Sequence, residues 1–174
     1  MSTPKMSNSH QPKKTRFMPI WLALPLALIV WEVIPWALSL LTPRYGWSEG
    51  NPSIWNLLGL IPAVLGTIGL ILGVYLHSAQ SSMGIEWELD RSYLLKGSVY
   101  GISRNPMYLS ELMLMFGWVI FYESISVLIA LAAWYLFFEY YLVPQEERVM
   151  EAHFGKAYLE YKSRVPRWLG RVKH

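Results

Sequence analysis

Two apolar runs, Met107 to Tyr122 and Ile125 to Val143, are separated only by Glu123 and Ser124. No other feature of the chain restricts the fold as much. A bilayer core is about 30 Å thick and takes about 20 apolar residues as helix to cross. The first run is short for a crossing and the second is close to full length. A two-residue break between them leaves room only for a tight helical hairpin. In lipid the backbone must satisfy its own hydrogen bonds, so helix is the default conformation. The hairpin returns the chain to the side it came from, and the polar segments on either side of it then meet at one membrane surface.

Two further runs have the same character, Phe17 to Leu41 and Ile54 to His77. Pro19, Pro25, Pro35 and Pro62 are expected to bend them, because proline removes an amide donor and clashes with the preceding turn. Composition agrees: 53% of residues are apolar and only 16% charged, with nine Trp and eleven Tyr. That profile suits a membrane protein whose aromatic rings sit at the lipid–water boundary. With no Cys, disulfides, thiolate metal sites and a cysteine nucleophile are excluded. Four scattered His residues offer little for a metal centre.

Fourteen of the fifteen Lys and Arg residues lie in the segments before the first run, between the second and third, and after the fourth. Arg44 alone falls in the first connection, and the hairpin turn has none. The positive-inside rule places the basic side in the cytoplasm, with both termini there. The chain reads as all-α, a polytopic membrane protein with about four transmembrane helices and cytoplasmic amphipathic C-terminal helices. Residues 1–16, polar and rich in Ser, Pro and Lys, are expected to be a disordered cytoplasmic tail. Residues 17–77 hold the first two spans, and residues 78–174 a cytoplasmic connector, the hairpin 107–143 and the C-terminal helices. The first span is too long and too aromatic for a cleaved signal peptide. The net charge of +3 follows from topology and attraction to anionic head groups, and calls for no nucleic-acid partner.

The open end of the hairpin carries the candidate chemistry. Before it stands Arg104-Asn105-Pro106-Met107-Tyr108. Asn105 suits an N-cap and Pro106 the first helical position. A helix start with free amides, next to Arg104, suits a carboxylate or phosphate. Tyr108 and Glu111 follow on one face. After the hairpin stands Pro144-Gln145-Glu146-Glu147, read as a new helix opening at Pro144. Met150 and Phe154 mark its apolar stripe, which both acids border and which is expected to lie against the membrane domain. Gly155 is expected to end that helix. A second amphipathic piece is expected at the interface, with Ala157, Tyr158 and Tyr161 on its apolar side. Each element also has an ordinary explanation, since Asn-Pro caps helices, Arg marks cytoplasmic boundaries and first-turn acids complement the helix dipole. Glu32, Glu111 and Glu139 lie within spans, where a charge is costly and usually functional or paired.

The stretch from about Ser92 to Leu169 resembles the superfamily of isoprenylcysteine carboxyl methyltransferases and phospholipid methyltransferases. The resemblance rests on an ordered set: Gly97-Ser98-Val99-Tyr100, Arg104 to Tyr108, Glu146-Glu147, Phe154-Gly155, Tyr158, Tyr161 and Arg164-Val165-Pro166. It implies an integral-membrane methyltransferase that uses S-adenosyl-L-methionine, with a lipophilic or membrane-associated acceptor. Carried over by position, the cofactor contacts are Ser92, Tyr93, Leu94, Leu95, Tyr100, Arg104, Asn105, Pro106, Met107, Tyr108 and Glu147. Glu146 falls at a substrate-contacting acid and is the candidate catalytic residue. Asn105 stands where the family usually has His. Leu142 stands where the prenyl-cysteine enzymes carry Arg, which weighs against a prenyl-cysteine carboxylate as acceptor. Two other classes stay open: an NADPH-dependent sterol-type membrane reductase, and a non-catalytic scaffold or small transporter, the latter favoured by Glu32.

Overall fold

A computed structural model describes residues 26, 27, 29–78 and 98–169 of the chain, with side chains for all but 74–78 and 98. The described part is helical. Two helices are long and apolar enough to cross a membrane, Ile54–Gly73 and Ile125–Phe154, and two shorter apolar helices, Ile29–Ser39 and Pro106–Tyr122, accompany them.

The first helix begins with a π-turn, Ile29–Val33, and continues as α1, Ile34–Ser39. Pro35 lies inside this continuous helix, and its missing amide leaves the Trp31 carbonyl, four residues back, without that donor. The wide turn leaves the Trp31 carbonyl to accept the Trp118 indole N–H at 2.8 Å. Glu32 lies within this π-turn. Pro19 and Pro25 lie outside the described residues.

The connection after α1 carries a structure that the all-α reading did not anticipate. β1, Trp47–Ser48, pairs antiparallel with β2, Asn51–Pro52, in the register Trp47↔Pro52 and Ser48↔Asn51. Glu49 and Gly50 between them both have positive φ, 49° and 80°, the backbone of a two-residue hairpin turn.

Helix α2, Ile54–Leu57, and helix α3, Leu60–Ser78, form one rod interrupted at Leu58 and Gly59. Pro62 is the cause. It cannot donate to the Leu58 carbonyl, and the neighbouring bonds shorten to three-residue spacing: Leu58 to Trp55, Gly59 to Asn56 and Ile61 to Leu58.

Helix α4, Pro106–Tyr122, packs along α3 with backbone nearly touching backbone. A Cβ on Gly66 would lie 2.5 Å from the Leu114 amide nitrogen, and one on Gly117 2.5 Å from that of Ala63. Without a hydrophobic effect to drive helices together in lipid, such close approach supplies the packing. Ala63, Leu114 and Met115 are buried there, while Ile61, Ile68 and Ile71 on the far side are more than half exposed, the inverse of a water-soluble bundle.

At the hairpin tip Glu123 adopts the left-handed conformation, φ 46°, and its amide caps Val119. Helix α5, Ile125–Phe137, then runs through a second π-turn, Phe138–Leu142, directly into α6, Val143–Phe154. The expected new helix at Pro144 is therefore absent. A proline ring inside a regular α-helix strikes the carbonyl four residues back, but the wide turn immediately before Pro144 accommodates it. Glu146 and Glu147 thus project from the continuation of the α5 helix, not from a fresh N-terminus.

Gly155, φ 52°, ends α6, and α7, Lys156–Arg164, follows at once. Tyr158, Tyr161 and Val165 form a buried cluster against Met150 and Phe154. The apolar stripe of α6 is covered by α7 rather than by the membrane domain. Ala157, expected on the buried side, is exposed, since the cluster needs only the face shared by Tyr158 and Tyr161.

Candidate active site

The hairpin brings both motifs to its open end, where they touch. The Tyr108 hydroxyl donates to Glu146 Oε1 at 2.6 Å. Arg104 Nη1 lies 2.8 Å from Glu147 Oε1. Roughly forty positions separate the partners in each pair (38 for Tyr108 and Glu146). The Tyr108 ring rests on Phe138, 4.6 Å between centroids, and Trp134 meets Phe138 edge-on at 5.9 Å. Glu111 has Trp134 and Glu146 as its polar neighbours. An acid pair in an aromatic wall therefore lies just below the rim.

Glu147 is the hub. It is 5% exposed and surrounded by three cations: Arg104, Arg167 and Lys162, the last at 3.2 Å. Arg167 is bidentate, its Nε and Nη2 each 3.1 Å from a Glu147 oxygen. Its Nη1 reaches Glu139 Oε1 at 2.6 Å, and the Trp168 indole N–H donates to the other Glu139 oxygen at 2.7 Å. Glu139, an acid within the span, is thus ion-paired and not simply open to water. A buried carboxylate is tolerable only with such partners. The hydrogen bond to Glu147 holds the Arg167 pKa above its ordinary value. The bond to Glu151 does the same for Lys162.

Arg104 is less well satisfied. Its Nη1 is close to Glu147 but poorly aligned, so that Nε and Nη1 are both buried without a hydrogen-bond partner. A buried guanidinium with unused donors is costly unless an acceptor arrives.

Asn105 occupies the cap position of α4, but its side chain does not cap the helix. Its Nδ2 instead donates to the Arg167 carbonyl at 3.0 Å. Ser103 Oγ donates to the same carbonyl at 3.1 Å and accepts the Asn105 amide. The Arg104 amide donates to the Pro166 carbonyl at 3.0 Å. The segment after α7 is therefore stitched to the start of α4. Pro106 is in the first turn, as expected, and Met107 packs toward Gly73. Tyr100 lies in a short 3₁₀ turn, Ser98–Gly101, and its carbonyl accepts the Tyr161 hydroxyl at 2.7 Å. Burial pushes the Tyr161 and Tyr158 hydroxyls up in pKa, so both stay protonated donors.

Of the expected site residues, Tyr100, Arg104, Asn105, Pro106, Met107, Tyr108, Glu146 and Glu147 fall among the elements at the open end. Ser92, Tyr93, Leu94 and Leu95 lie outside the described residues. Sequence reasoning missed Arg167, Lys162, Trp168 and Ser103. Arg167 directly follows the Arg164-Val165-Pro166 motif, and that adjacency was the one available signal.

Residues 58–157 match the model of the phospholipid methyltransferase family. That span is more than half of the chain and contains both hairpin helices and both acids. The chain belongs to the phospholipid methyltransferase family. Its members are membrane-integral, in keeping with two helices long enough to cross. Comparison with curated proteins and with solved structures gives no match.

Proposed function

We propose that the protein is an integral-membrane S-adenosylmethionine-dependent methyltransferase whose acceptor is the amine head group of a phospholipid. The observation that carries the reading is the pairing of Tyr108 with Glu146 beside that of Arg104 with Glu147, inside the family-matched segment. In this reading α1, the α2–α3 rod, α4 and α5 form four spans, with both chain ends and helices α6 and α7 on the cytoplasmic side.

The residues suit the cofactor. The Nε donor of buried Arg104, which has no hydrogen-bond partner, fits the methionine carboxylate, and Asn105 and Glu147 stand beside it for the cofactor's amine and hydroxyls. When bound, S-adenosylmethionine supplies a methyl group on a sulfonium, with a neutral thioether as leaving group. An ammonium head group must lose a proton before its nitrogen lone pair attacks, and Glu146 takes that proton. Tyr108 donates to Glu146 and so fixes the direction from which the carboxylate approaches. The rings of Phe138 and Trp134 exclude water and face the cationic nitrogen. Alignment and desolvation are the protein's share of catalysis. Leu142, in place of an arginine, leaves no cation there for a prenyl-cysteine carboxylate.

The test is titration of detergent-purified protein with S-adenosylhomocysteine, with NADPH as the control, followed by methyl transfer into phosphatidylethanolamine-containing micelles. Saturable binding of the former ligand alone, with lipid-dependent transfer, is expected. Binding of NADPH alone would move the chain to the reductase class, and binding of neither would favour a scaffold or transporter.

A further inference from the structure

Arg167 stands ten residues beyond the family-matched segment, yet its side chain and carbonyl reach Ser103, Asn105, Glu139 and Glu147 inside it. Its guanidinium spans two acids from different turns, Glu147 through both oxygens and Glu139 through one. Its main-chain carbonyl accepts from Asn105 and Ser103 at the start of α4. One residue therefore sets the rotamer of Glu147 on α6 and the side chain of Asn105 at the start of α4. A fork that grips both carboxylate oxygens fixes a plane as well as a position, which a point charge does not do. Lys162 also reaches Glu147, but through one contact and with a third of its side chain exposed.

We infer that Arg167 is a positioning residue for the cofactor end of the site, holding Glu147 and Asn105 in the register that S-adenosylmethionine binding requires. The inference rests on the cofactor reading above and adds to it a residue from outside the family match. It does not involve the acceptor end, because Tyr108 and Glu146 make no described contact with Arg167.

The test uses the full chain in detergent and reads S-adenosylhomocysteine affinity by titration, alongside the apparent KM for phospholipid. Arg167→Ala is expected to weaken the ligand at least about tenfold while leaving the phospholipid KM unchanged, since a charge-assisted bidentate pair is lost on one side only. Arg167→Lys keeps the charge but not the fork, and is expected to recover little of the affinity, staying within about threefold of Arg167→Ala. Because Arg167 acts through Glu147, its removal in a Glu147→Gln background is expected to add less than about twofold. Should Arg167→Ala fail to fold, Arg167→Lys and Glu139→Gln carry the test, the latter freeing one end of the fork.

Unchanged ligand affinity in Arg167→Ala, with or without a lower thermal midpoint, would overturn the inference and leave the cofactor reading intact. So would wild-type affinity in both Arg167→Lys and Glu139→Gln. Full additivity with Glu147→Gln would overturn it as well. Failure of the wild type to bind S-adenosylhomocysteine would instead bring down the cofactor reading, and the inference with it.

Discussion

The two ends of the α4–α5 hairpin are both polar, both buried and both sewn together by bonds between distant parts of the chain, yet they are built on opposite plans. At the closed end, buried Asn56 donates to the Ile120 carbonyl and to Glu123, and accepts from Ser53. Arg44 rests on the Ser39 hydroxyl and on the faces of Trp47 and Tyr122, at 4.6 and 5.0 Å. Thr42, Ser124 and Ser126 share a hydroxyl cluster. The partners there are amides, hydroxyls, rings and the Glu123 carboxylate, and no described ion pair joins Arg44 to an acid. At the open end, three cations converge on one carboxylate, and Arg104 keeps unused donors. Fully satisfied polar networks rigidify a fold. A concentration of charge with an unfilled donor is the arrangement that a charged ligand completes. On the proposed reading, the difference teaches that the closed end is a clasp and the open end the site.

The comparison breaks if the two ends respond alike to substitution. The largest effect is expected between them, where α3 and α4 touch. Gly117→Leu must push the Ala63 backbone away, and the cost of overpacking, about 1–3 kcal/mol at ordinary core positions, should be exceeded at a backbone contact. Loss of folded protein in size-exclusion chromatography would be the sign. Glu146→Gln should lower the turnover rate by about 10²- to 10⁴-fold, as expected for a missing general base. Its ligand affinity and thermal midpoint should stay near wild type, as judged by transfer assay and titration.

Arg104→Ala and Glu147→Gln should each weaken S-adenosylhomocysteine by about 1–3 kcal/mol, the range for a charged hydrogen bond. Near-normal affinity in both would remove them from the site. Asn56→Ala should cost about 1–2 kcal/mol of stability by stranding buried partners at the clasp, with ligand affinity unchanged. An affinity loss there would erase the distinction between the ends.

The smallest effect concerns pH. Lys162 has a raised pKa in the fold because it bonds Glu151 and Glu147. Its contribution is complete below the unfolded lysine value of 10.5 and fades as pH rises through the higher folded value. The protection of α7 amides, corrected for base-catalysed intrinsic exchange, should therefore fall in strongly alkaline buffer, and that fall should be absent in Lys162→Met.

Much of this was legible from local sequence. The Glu123-Ser124 break, Pro106 at a helix start and Gly155 at a helix end act through the backbone of their own neighbourhood, and all three behave as read. Pro144 was misread because its effect depends on the turn before it. The π-turn at Phe138–Leu142 has no marker in composition, and it converts a helix breaker into a tolerated residue. The β1–β2 ladder was overlooked although Glu49-Gly50 permits its turn. Asn105 occupies the cap position predicted for it but spends its side chain on a carbonyl 62 residues away.

The sequence by itself determined the membrane class, the hairpin and the side on which Arg104, Tyr108, Glu146 and Glu147 gather. Hydrophobic run length and backbone hydrogen bonding in lipid leave few alternatives at that scale. Only the tertiary structure decided which acid meets which partner. Tyr108 takes Glu146, while Glu147 is held by Arg104 and by Arg167 returning from beyond α7. Side-chain pairing depends on rotation about helix axes and on distances of a few ångströms, and a π-turn of five residues is enough to change both.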